Sequence, residues 1–133
     1  MSFPRTAARL LAPLCLSLAA ALPAAAFTAE NGLVVSSNGG VISVPFRGKS
    51  GATDFWCAAG DYVIRGLHMA PTTRVWRLSE PPRGSGEGID FALSPDGAAS
   101  STGLAKLGGD PASLTAAHAQ SFCKRGRILW DWD

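Results

Sequence analysis

Few side chains in this chain can do chemistry. Its 133 residues include three cysteines and two histidines. Cys57 and His118 stand in the nucleophile-before-base order that some thiol hydrolases use. The fragment Trp56-Cys57-Ala58 falls near a predicted helix start, where the positive end of the helix dipole favours a thiolate. Cys123 competes for the same sulfur. Two cysteines in an oxidising compartment pair by default, so a Cys57–Cys123 disulfide is the first expectation and a Cys57–His118 dyad the alternative. No group that would orient an imidazole stands out around His118. A structural zinc site would have to consume Cys57, His68, His118 and Cys123, whose spacings of 11, 50 and 5 residues match no compact zinc module. No metal and no cofactor is expected.

Two other groups read as recognition elements. The segment Ser79-Glu80-Pro81-Pro82-Arg83-Gly84-Ser85-Gly86-Glu87 is too long for a tight turn and too rich in glycine and proline for a strand. Arg83 and Glu87 are therefore placed on a loop, where binding residues concentrate. Gly84, Gly86 and Gly88 do not run from a strand into a helix, so they make no phosphate-binding fingerprint. In residues 127–133, Trp130 and Trp132 alternate with Asp131 and Asp133 and share one side of a predicted strand. They read as a lid on the core or as an aromatic platform for a glycan, a peptide or a partner protein.

Residues 1–26 are a different kind of object from the rest. Arg5 and Arg9 precede an apolar run over 10–22, and Pro23-Ala24-Ala25-Ala26 supplies the small residues of a cleavage site. That pattern predicts a secretory signal peptide, cleaved to start the chain at Phe27, and a periplasmic or secreted location. Cys15 would leave with it. The apolar run is shorter than a spanning helix needs, and no second one follows, so no membrane insertion is expected after cleavage. Without Arg5 and Arg9 the 12 basic residues become 10, equal to the 10 acidic ones. A neutral chain has no general field toward nucleic acid or anionic lipid, and no nucleic-acid partner is expected. At 47% hydrophobic and 17% charged residues, the chain is too apolar for a disordered segment. Lys124, Arg125 and Arg127 read as solvated groups at a helix end.

The elements that must position these groups follow from pattern and punctuation. Residues 27–40, with turn signals at Asn31-Gly32 and Asn38-Gly39-Gly40, read as an N-terminal arm or edge strand. Residues 41–46 alternate as a strand, and Pro45, lacking an amide donor, places it at a sheet edge. Thr53 as N-cap predicts a helix over 54–67. Gly60 inside it costs about 1 kcal/mol relative to alanine unless a neighbour packs closely there, and two short strands around Ala59-Gly60-Asp61 are the alternative. Residues 73–78 and 88–93 alternate and can pair antiparallel, while 98–106 reads as a weak strand or an irregular crossing. A second helix is signalled by Asp110 as N-cap, Pro111 at the first position, and Lys124 and Arg125 before Gly126. Along it Leu114 and Phe122 flank His118, which predicts a partly buried imidazole about 140° round the helix from Cys123.

Together these predict an α+β fold: a small, mostly antiparallel sheet of three to five strands packed against two helices, with one disulfide, as a single domain over 41–133. The function that follows is an exported, non-enzymatic accessory or binding protein. It would contact another protein or an envelope component through Trp130, Trp132, Arg83 and Glu87. The alternative is a small cysteine-dependent hydrolase using Cys57 and His118.

Overall fold

The structure, a computed structural model, describes residues 26–128, the side chains of 125–128 excepted. One sheet is built from β1 (Phe27–Thr28), β2 (Val34–Asn38), β3 (Val41–Val44), β4 (Arg74–Arg77), β5 (Ile89–Ala92) and β6 (Ser113–Thr115). The strands lie in the order β1-β2-β3-β5-β4-β6, and each neighbouring pair is antiparallel. Two helices, α1 (Ala52–Asp61) and α2 (Ala116–Ile128), complete a small α+β fold closed by one disulfide. The sheet has one strand more than the three to five expected. β1 has two residues and β6 three, too few to register as alternation.

Turn chemistry sets the register of the first hairpin. Gly39 and Gly40 both have positive φ, +59° and +84°, the backbone that a two-residue hairpin turn needs and that side chains resist. Asn38 therefore pairs with Val41, and Ile42 and Val44 point inward. β3 lies between β2 and β5, not at an edge. Pro45 follows the last paired residue, so the ladder never asks it for an amide proton. On β5, Ile89 and Phe91 are buried; on β4, Val75 and Arg77 face the core and Trp76 lies on the other side.

α1 starts one turn signal earlier than expected. Gly51, not Thr53, occupies the N-cap, and the Asp54 carboxylate accepts the Gly51 N–H at 3.3 Å. The chain continues past Asp61 through a π-helical turn (Tyr62–Gly66), which removes the two-strand alternative. Gly60 sits where α2 crosses. A Cβ there would come within 2.5 Å of the Gln120 nitrogen and 2.7 Å of the Ala116 oxygen, so the close neighbour is the reason for the glycine.

The start of α2 is a correction. Residues 113–115 form β6 and pair with β4, and the helix begins at Ala116, where the Thr115 hydroxyl accepts the His118 N–H at 3.2 Å. Asp110 and Pro111 thus precede a strand. The Asp110 carboxylate is spent locally, accepting from Thr102 N, Thr102 Oγ1 at 2.6 Å and Ala112 N. α2 also runs through Gly126 to Ile128. The core lies between the sheet and the helices, with Trp56 edge-on to Phe91 at 4.8 Å between ring centres.

Candidate functional site

The seam between the helices is set by small residues. Ala59, Gly60, Ala116 and Ala119 let α1 and α2 approach closely, and Cys57 and Cys123 are joined across it with their Cα atoms 5.0 Å apart. Cys57 is 1% exposed. A sulfur bonded to another sulfur has no thiol to ionise, so in this state Cys57 offers no nucleophile. Among the described residues, the Asp61 carboxylate, fully buried beside the seam, accepts from Glu30 N at 2.9 Å, from Arg65, and from Gln120 Nε2 at 3.1 Å. Burial alone would raise its pKa, but the hydrogen bonds from Arg65, Gln120 and the Glu30 backbone hold it below the ordinary carboxylate value.

His118 is exposed, not partly buried. The expected stripe of Leu114, His118 and Phe122 assumed one helix, but Leu114 belongs to β6 and turns into the core. The imidazole instead lies 5.5 Å from the Phe122 ring at a concavity of about 290 Å³ shared with Thr53, Leu104 and Lys106. Among the described residues no carboxylate lines that concavity.

The loop over residues 79–87 is organised by Arg83. Its Nη1 donates to the carbonyls of Gly84 and Glu87 at 2.9 and 2.8 Å, and its Nη2 to that of Ser50 at 3.2 Å. The same guanidinium lies 5.3 Å from the Phe46 ring centre and 5.2 Å from that of Phe55. Glu87 turns back into the loop, its Oε2 accepting the Gly84 N–H at 3.2 Å. The structure therefore brings Arg83 and Glu87 into one small network. Trp130 and Trp132 lie outside the described residues.

Beneath the loop is a residue that the sequence reading did not single out. Arg77 is 1% exposed, with Nε donating to Ser79 O at 2.7 Å and Nη1 to Thr102 O at 3.0 Å. Thr102 O also accepts the Trp56 indole N–H at 3.0 Å. Nη2 of Arg77 has no hydrogen-bond partner among the described residues. Burial pushes the Arg77 pKa down; Glu80 opposes that shift and the charge of Arg83 adds to it. Arg77 and Arg83 line one cavity of about 210 Å³ with Ser50, Ala52, Pro81, Pro82, Ile89 and Gly103. The signal was present in the alternation of β4: once Val75 points inward, so must Arg77.

Among the described residues no group of three or more histidine, cysteine, aspartate or glutamate side chains could hold a metal ion. No helix among them is long and apolar enough to cross a membrane. No protein-family model matches the chain, and neither the curated proteins nor the solved structures contain a match to it.

Proposed function

We propose that this chain is an exported, non-enzymatic binding protein that contacts another protein or an envelope component through the face formed by residues 79–87. One observation carries the reading: the Arg83 guanidinium is held by three backbone carbonyls and two aromatic rings, so the loop is ordered before any partner arrives. A loop ordered in advance gives up less conformational entropy on binding, about 0.5–1.5 kcal/mol for each long side chain already fixed. Export is supported by the leader pattern of residues 1–26 and by the disulfide, a bond that persists in oxidising compartments. Trp130 and Trp132 would extend the same binding role.

The test is capture of the envelope fraction by the exported chain, compared with Arg83→Gln and with the pair Trp130→Ala and Trp132→Ala. Loss of about 1–3 kcal/mol of affinity in Arg83→Gln, in a variant that still unfolds cooperatively on heating, supports the loop as the contact face. Equal capture by wild type and Arg83→Gln removes it. A thiol count under denaturing, non-reducing conditions bears on the catalytic alternative, since two free thiols in the exported chain would return Cys57 and His118 to candidacy as a hydrolase.

A further inference from the structure

Arg77 and Arg83 line one cavity, and the buried Nη2 of Arg77 has no hydrogen-bond partner among the described residues. We propose that this cavity binds a small oxyanion, a carboxylate or phosphate group, held between the two guanidiniums. The inference rests on the binding-protein reading of the loop and names the chemistry that the loop would recognise.

A buried cation ordinarily has a partner, because an unpaired charge taken from water costs several kcal/mol. Among the described residues the one ion pair joins Arg65 and Asp61, so no described carboxylate forms an ion pair with Arg77 or Arg83. Glu80, the acid that acts on Arg77 electrostatically, spends both its oxygens on Ser100, one on the backbone N–H and one on the hydroxyl. The two guanidiniums repel each other, and an anion between them would relieve both.

The donor count fits such a ligand. A guanidinium carries five N–H bonds and accepts none. Arg83 uses both hydrogens of Nη1 on carbonyls and one of Nη2, which leaves Nε and the second Nη2 hydrogen. Arg77 uses Nε and one Nη1 hydrogen and leaves both on Nη2. With the second Nη1 hydrogen of Arg77, five N–H groups remain, enough for the lone pairs of a carboxylate or for two or three phosphate oxygens. A cavity of about 210 Å³ admits a group of that size, and Pro81, Pro82, Ile89 and Ala52 give it apolar walls against which charge attraction strengthens. Gly103, at φ +75°, keeps the Arg77 guanidinium in place: a Cβ there would stand 2.3 Å from Nη1.

The probes are sodium phosphate and sodium acetate, titrated at constant ionic strength into the full exported chain. The readouts are the arginine Nε–Hε resonances and calorimetry. A saturable, single-site shift of the Arg77 and Arg83 resonances is expected with at least one probe. Tighter phosphate assigns a phosphate group and tighter acetate a carboxylate. Arg83→Gln is expected to weaken that binding by roughly tenfold or more, with the unliganded Arg77 resonance unmoved as the check that the loop it helps to order is still in place. Silence of both resonances toward both probes, or equal affinity in Arg83→Gln, overturns the site without any need for an Arg77 variant. If capture of the envelope fraction depends on Arg83 while both anions are silent, this inference alone fails. If an anion binds but capture ignores Arg83, the function reading alone fails.

Discussion

Asp61 and Arg77 are buried to the same depth, at 0% and 1% exposure, and their surroundings treat them in opposite ways. Around Asp61 the turn before β2, α1 and α2 all converge, and its oxygens receive donors from Glu30, Arg65 and Gln120. Around Arg77 two carbonyls are met, one nitrogen is left over, and a cavity opens beside it. One charge is complete within the fold. The other is fixed in orientation and left with capacity to spare, which is how a scaffold differs from a site it supports.

The largest effect should come from the seam. Replacing Cys57 and Cys123 together by alanine opens a covalent loop with 66 residues of sequence separation. The expected loss is about 4 kcal/mol in urea unfolding, from the freed entropy of the unfolded chain. A loss below about 1 kcal/mol would mean that the seam holds without its staple.

Next is Gly60→Ala. Helix propensity alone favours alanine by about 1 kcal/mol, whereas the backbone contacts at 2.5 and 2.7 Å predict a loss of about 3 kcal/mol. The sign of the change in melting temperature decides between them.

Asp61→Asn should cost about 2 kcal/mol at neutral pH, since the charge-assisted bonds from Arg65 and Glu30 go with it. The folded-state pKa of Asp61 is lowered, so its contribution is fully present above the unfolded-state value of about 3.9 and is lost as pH falls through the lower folded-state value. The variant should therefore show a shallower loss of stability below pH of about 4 than wild type, by urea midpoint. An identical acid limb would show that Asp61 is no such hub.

Arg77→Met is the smallest effect, about 1 kcal/mol in the unliganded chain. Thr102 O keeps its bond from Trp56, and an unpaired charge is removed from the interior. If Arg77→Met costs as much as Asp61→Asn, the contrast between the two charges collapses.

The sequence made the seam easier to read than the site. The cysteine pairing followed from composition and from the export that the leader pattern predicts, and Gly60 inside a helical pattern already pointed to a close neighbour. The β4–β5 pairing was legible as alternation. What misled was local chemistry with two uses. Asp110-Pro111 looks like a helix start, but the same carboxylate closes a turn onto Thr102 and Ala112 and hands the chain to a strand. Pro45 looked like an edge marker because a proline one residue beyond a ladder is indistinguishable in sequence from one within it. Arg77 stayed hidden because an arginine in an alternating strand normally marks the solvent face.

The disulfide also makes a ring out of the chain. Residues 57–123 are enclosed by it, among them β4, β5, β6 and the loop that carries Arg83, whereas β1, β2 and β3 lie outside. A protease that cuts within residues 79–87 therefore leaves one covalent molecule, its two pieces tied through Cys57 and Cys123. A cut between Val44 and Cys57 would instead release the β2–β3 hairpin from its covalent attachment. The loop proposed to meet a partner is placed where a severed backbone does not mean a divided protein.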